Sequence, residues 1–148
     1  TEILTYTPKG RGTNLAAPLE LLSRVSRRQA ITFVLSDFQA PTATYETPLR
    51  IAARRHDVVP VIIRDPMEHE LPAIGLVPME DLETGETAWV DTSSARVRQR
   101  YAARNEAQHA RLVQQFRRAK LDTISVETGG AYDKALVQFF QLRARRLS

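Results

Sequence analysis

Cysteine does not occur anywhere in the chain. Its absence excludes a disulfide frame, a thiol nucleophile and a thiolate metal centre, and it agrees with a reducing compartment, so a cytoplasmic location is expected. Long apolar runs are missing too. No stretch approaches the roughly 18 residues that cross a bilayer, and none reads as a signal peptide, so no membrane contact is expected in this segment. Histidine is scarce, and the 3 scattered residues make neither a zinc site nor a triad. His69 lies between Glu68 and Glu70 with no second histidine at metal spacing, and reads as part of a solvated loop. His56 closes a helix, where a cation suits the dipole, and His109 reads as exposed in mid-helix. A phosphate-binding loop is also lacking, because the string from Gly10 to Leu15, GRGTNL, has no Gly-Lys-Ser/Thr ending.

What is present is the composition of an ordinary globular chain: 43% hydrophobic and 26% charged, in 148 residues that can bury one core. The net charge is +4, and the arginines concentrate late, at 96–118 and 143–146. That asymmetry points to an anionic partner or to a solvated face. Arg96, Arg98, Arg100, Arg104 and Arg111 could meet phosphates, yet only Tyr101 interleaves with them. Nucleic-acid readers usually add aromatics or a groove-fitting motif, so a solvated or protein-facing helix is expected instead.

Periodicity organises the rest. Thr13 or Asn14 can cap a helix over about 14–26 with Leu15, Leu19, Leu22 and Val25 on one stripe. Ala30 to Ser36, AITFVLS, is an apolar, β-branched run expected to form a strand covered on both faces. Thr47-Pro48 reads as an N-cap and first helical position, opening a helix over 48–56 that turns Leu49, Ile51 and Ala52 to a core. Val58 to Asp65 reads as a second buried strand, parallel to the first through a right-handed crossover. Residues 75–92 have the pattern of a hairpin turning at 83–85. A long helix over roughly 93–119, a third parallel strand within 122–128 and a final helix striped by Tyr132, Leu136, Phe139 and Phe140 complete the order. This alternation predicts a doubly wound α/β sheet.

Several of these strings, in this order, resemble one family. RGTNLAAPLELL, FVLSDF, YETPLRIAARRHDVVPVIIRDPMEHELP, GLVPMEDLETGETAWVDT, VRQRYAARNEAQ and LDTISVETGGAYDKALVQFF resemble the von Willebrand factor A-like bacterial proteins of the domain of unknown function 58 family, often encoded beside MoxR-type AAA+ ATPases. The resemblance implies a three-layer, Rossmann-like, mostly parallel sheet with an inserted hairpin, and identifies 1–148 as the C-terminal part of such a domain, without its N-terminal strands. It also implies a metal-ion-dependent adhesion site on the rim where the strands end. Thr13 matches that site's threonine and Asp37 its aspartate, while the Asp-x-Ser-x-Ser loop has no match. Asp65 ends the next strand on the same rim. Hydroxyl and carboxylate oxygens suit Mg²⁺, though this set is incomplete.

Each candidate also has an ordinary reading. Thr13 can be a plain N-cap, Asp37 a strand-ending turn and Asp65 half of an Asp-Pro turn. By resemblance the expected function is a non-catalytic interaction module that docks an acidic partner residue through Mg²⁺ and works with a MoxR-type AAA+ ATPase in protein assembly or maturation. The alternative is a Mg²⁺-dependent phosphoryl-transfer or hydrolytic enzyme using the rim carboxylates, which a third carboxylate, a Lys or a His at that rim would favour. Without the central strand, Ala30–Ser36 would keep a bare edge, and bare edges recruit strands. Self-association through that edge, or its pairing with residues 2–6, is therefore expected.

Overall fold

The five residues from Val58 to Ile62 are buried in succession, which only a strand covered on both faces tolerates. Around this strand the computed structural model describes residues 13–80 and 87–147. In chain order the elements are α1 (Ala16–Val25), β1 (Ile31–Ser36), α2 (Thr42–Arg55), β2 (Asp57–Arg64), a 3-10 turn (Pro66–Glu68), β3 (Leu76–Glu80), β4 (Thr87–Asp91), α3 (Ala95–Arg118), β5 (Ile124–Glu127) and α4 (Tyr132–Leu147). β2 is central in a parallel sheet of order β1-β2-β5, with Ile31 opposite Asp57 and Val61 opposite Ile124. The predicted mixed α/β chain with a parallel sheet is what forms.

Alternation along β2 divides the core. Val58 and Ile62 pack with Leu15 just ahead of α1, Leu19 of α1, Tyr45, Leu49 and Ala52 of α2, and Phe116 of α3. Val59 and Val61 join Ile124 and, from α4, Leu136 and Phe139. Helices thus cover both faces of the sheet. Arg143 of α4 donates to both carboxylate oxygens of Asp57, at 2.6 and 2.5 Å, and fixes the end of the sheet where β2 begins.

Two expectations are corrected. β1 is not covered on both faces by the described residues: its burial alternates, and Ile31 and Leu35 are 61% and 63% exposed. Among the described residues it is an edge strand, and on that face only Phe33 finds a ring, Phe140 of α4, at 6.3 Å. Second, α2 starts at Thr42 rather than at 48, so Pro48 lies inside the helix. The extra turns carry Tyr45, 1% exposed, onto the core face with Leu49 and Ala52, whereas Ile51 points outward at 48% exposure. His56 closes α2 as expected, and it is buried, with neither ring nitrogen bonded among the described residues.

The hairpin β3–β4 forms antiparallel as expected, between Leu76 opposite Asp91 and Glu80 opposite Thr87. Its predicted turn at 83–85 and the strand-pairing segment 2–6 lie outside the described residues. Buried Thr92 closes its base, donating its hydroxyl to the Gly75 carbonyl at 2.7 Å and accepting from the Ile74 N–H at 3.1 Å. Gly75 holds φ +91°, a left-handed backbone that favours glycine.

Candidate rim site

Parallel strands end on one side, and here β1, β2 and β5 end in Ser36, Arg64 and Glu127. Such a rim is the usual ligand crevice of an open α/β sheet. The turn after β1 is tightly made. Ser36 Oγ accepts from the Phe38 N–H at 3.0 Å, and Asp37 Oδ1 accepts from the Gln39 N–H at 3.2 Å. Phe38 itself adopts φ +55°, a strained region for a bulky side chain. Its ring is locked between Phe116, at 5.0 Å, and Tyr45, at 5.7 Å. Aromatic burial offsets that strain and holds the exposed Asp37 and Gln39 out on the rim.

Beside this turn, a cleft of about 330 Å³ opens between the rim and α3, lined by Asp37, Gln39, Arg64, Glu68, Asn105, Gln108, His109 and Arg111 among others. Its walls are tied together. Arg64 Nη2 donates to Glu106 Oε2 and to His69 Nδ1, each at 3.0 Å. Because His69 Nδ1 accepts that bond, its proton sits on Nε2, which faces Glu127 Oε1 at 3.5 Å, beyond a good hydrogen bond. Asn105 donates to the Glu68 carbonyl at 2.7 Å, Gln39 to the Glu68 carboxylate at 3.4 Å, and Gln108 to Gln39 at 3.3 Å. The hydrogen bond and charge of Arg64 hold the Glu106 carboxyl below its usual range. Burial, and next the Arg64 charge, push the His109 imidazole below its ordinary value, with Glu106 acting the other way.

The predicted metal ligands separate in this geometry. Asp37 lines the cleft; Thr13 and Asp65 are not among its lining residues. Asp65 Oδ1 accepts from the Met67 N–H at 2.8 Å and so caps the 3-10 turn. Thr13 is exposed ahead of α1, where Asn14 Oδ1 takes the capping role, accepting from Ala16 and Ala17 N–H at 3.1 Å each. One carboxylate oxygen of each aspartate is already engaged by its own turn. Among the described residues no three His, Cys, Asp or Glu side chains converge to hold a metal. The donors are of the right kind for Mg²⁺, but the described residues do not make a complete site.

What the sequence reading missed is the opposite wall. His69 was expected in a solvated loop and His109 on an exposed face; instead His69 bonds Arg64 and His109 lines the cleft. Asn105, Gln108 and His109 fall at helical spacing on α3, a polar stripe visible in the sequence. Which strand end that stripe faces is not. Arg98, expected on a solvated or protein-facing surface, donates to the Thr92 and Ser93 carbonyls at 2.7 and 2.9 Å and braces the start of α3.

Fold and cleft together define an α/β chain with a polar rim at the ends of a parallel sheet. The family described as "Protein of unknown function DUF58" matches residues 1–111, and the chain belongs to that family. It is 31% identical over 138 residues to uncharacterized protein MAV169 of Mycobacterium avium, covering 93% of this chain and 80% of that protein. It is 30% identical over 142 residues to uncharacterized protein Rv1480 of Mycobacterium tuberculosis, covering 96% of this chain and 44% of that protein. Uncharacterized protein Mb1516 of Mycobacterium bovis gives the same figures, so the chain spans less than half the length of these two relatives. No solved structure matches. No helix among the described residues is long and apolar enough to cross a membrane.

Proposed function

We propose that this chain is the C-terminal part of a von Willebrand A-like domain and acts as a non-catalytic, cytoplasmic protein-interaction module. Its docking surface is the rim. The observation that carries this reading is the cleft, where Asp37 sits among amide, guanidinium, carboxylate and imidazole side chains that are already hydrogen-bonded in a network. Those bonds make a shaped polar surface without a nucleophile–base pair among the described residues. In this reading Thr13, Asp37 and Asp65 hold Mg²⁺ only together with oxygen donors from outside the described residues, and the ion accepts an acidic side chain of the partner. A MoxR-type AAA+ ATPase is the partner that the family resemblance suggests. The side of β1 that no described residue pairs is a second contact surface, for another copy or another strand.

A rival reading draws on His109, which shares the cleft with Asp37 and Arg64. A histidine kept neutral at a carboxylate rim can serve as a general base in Mg²⁺-dependent hydrolysis or phosphoryl transfer. Against it, no described hydroxyl is hydrogen-bonded to His109 or His69, and the Nδ1 lone pair of His69 is taken by Arg64.

Calorimetric Mg²⁺ titration separates these outcomes, using this chain and a longer natural form that carries it. Binding by the longer form, lost on Thr13→Ala and on Asp37→Ala, is expected. Binding by neither form would leave both residues as turn-formers and end the metal-dependent reading. Hydrolysis of a phosphoester by the Mg²⁺-loaded protein, lost on His109→Gln, would move the assignment to the enzyme.

A further inference from the structure

Beside the rim cleft and sharing Arg111 with it, a groove of about 910 Å³ runs between α2 and the C-terminal half of α3. Its floor is apolar, made by Leu49, Ala53, Phe116 and Leu121. Its walls are cationic: Arg50 and Arg54 come from α2, Arg111 and Arg118 from α3, and Lys120 from the turn that follows. Glu46 is the one carboxylate that lines it.

Five like charges around one groove repel, and a folded chain usually relieves this with counter-charges. Arg64, Arg143 and Arg146 each reach a carboxylate, and Arg55 and Arg98 reach carbonyls. None of the five groove cations has a side-chain hydrogen bond or ion pair among the described residues. Their spacing is regular. Arg50 and Arg54 stand one helical turn apart, roughly 6 Å, and Arg111 and Arg118 two turns apart, roughly 10 Å.

Lys120 adds an independent sign. It holds φ +58°, the left-handed conformation that ends a helix and that glycine normally takes. The N–H groups of Lys120 and Leu121 close the helix onto the carbonyls of Arg117, at 3.0 Å, and Phe116, at 2.9 Å. A lysine stands there in a backbone position where glycine would be free of strain.

We infer that this groove docks an acidic, amphipathic segment of a protein partner. Carboxylates at i, i+4 and i+7 of a helical ligand repeat at the spacing of the groove cations. The ligand's apolar side chains seat on the floor, as in helix-in-groove recognition. A nucleic acid fits less well, because Phe116, the aromatic of the lining, is 1% exposed and offers no ring face for a base. A membrane fits less well because the cations line a concavity rather than a convex face. The inference stands apart from the rim reading, since no metal enters it.

Fluorescence anisotropy tests it with three probes: a labelled synthetic helix carrying Glu on one face and Leu on the other, a labelled single-stranded oligonucleotide, and vesicles of phosphatidylserine in phosphatidylcholine. The peptide is expected to bind best, with an affinity that falls with salt and is unchanged by EDTA or by Asp37→Ala. The double variant Arg50→Glu/Arg54→Glu should weaken it by about tenfold or more with an unaltered circular dichroism spectrum. Lys120→Gly should weaken binding while leaving the melting temperature equal or higher, which keeps the test valid if the double variant misfolds. Tighter binding of the oligonucleotide or the vesicles would overturn the inference. So would peptide binding that is absent at low salt, or that is indifferent to both variants.

Discussion

Arg64 has a side chain only 12% exposed, and one of its nitrogens serves both Glu106 and His69. With Glu106 61% exposed, the ion pair itself is worth under about 1 kcal/mol. The effect on His109 is the more informative one, since burial and the Arg64 charge both disfavour its protonation. The folded chain therefore binds that proton less readily than the unfolded chain. The stability tied to neutral His109 is present above about pH 6.5 and is lost as pH falls from there toward the folded value. Glu106, also lowered, adds a loss on the acid side of about pH 4.5. Arg64→Met should raise the His109 midpoint in an NMR titration and shrink the fall in urea midpoint between about pH 7 and 5.5. An unmoved His109 midpoint would show that burial alone sets its ionisation. At this scale the sequence was partly legible: Asp37 and Asp65 were readable as turn-forming carboxylates, and both bond backbone N–H groups two residues on. His69 and His109 were not, because the fold brings part of their surroundings from distant elements: Glu127 of β5 faces His69, and the Arg64 charge of β2 reaches His109 on α3.

Among the elements, α2 departs most from its expected form. Thr47-Pro48 is a sound helix start in isolation. The helix nevertheless begins at Thr42, where Thr44 returns its N–H at 2.9 Å and its hydroxyl at 2.6 Å to the Pro41 carbonyl. What overrides the local signal is Tyr45, whose burial with Leu49 and Ala52 outweighs an interior proline. Pro48 cannot donate to the carbonyl of Thr44, a defect that in a helix interior costs on the order of 3 kcal/mol. Pro48→Ala should accordingly raise stability by about 1–3 kcal/mol, read as a higher urea midpoint at unchanged m-value. A lower midpoint would mean that the proline's local distortion is needed to seat Tyr45. The strands were easier to read than the helix start. Composition alone marked β2 as buried on both faces, and the β3–β4 pairing followed from alternation. For β1 the same apolar signal was met by an edge, because sequence records that a strand wants cover and not whether cover is present.

The whole molecule, as described, ends its sheet at β1. Among the described residues β1 pairs only with β2, and Ile31, Phe33 and Leu35 remain 61%, 39% and 63% exposed along one face. Phe140, 50% exposed on α4, extends this surface through its contact with Phe33. Together they form an apolar strip beside a row of unpaired backbone groups, and both features favour the addition of a strand. The order of elements was legible because each strand and helix follows its own periodicity. What meets the outer side of β1 was not, since nothing in Ile31–Ser36 identifies a partner. If the chain covers this side with another copy, sedimentation velocity should show concentration-dependent association over the micromolar range. Phe33→Lys/Leu35→Lys should then return it to monomer, because two charges on that face oppose burial without touching the β1–β2 register. The same substitutions should leave peptide binding at the α2–α3 groove intact, since that groove is lined from the other face of the sheet. A wild-type chain that stays monomeric throughout, with hydrogen exchange at β1 as slow as at β2, would place another strand of the same chain on that edge. Fast exchange at β1 in a monomer would instead leave the edge open and sink the association proposal.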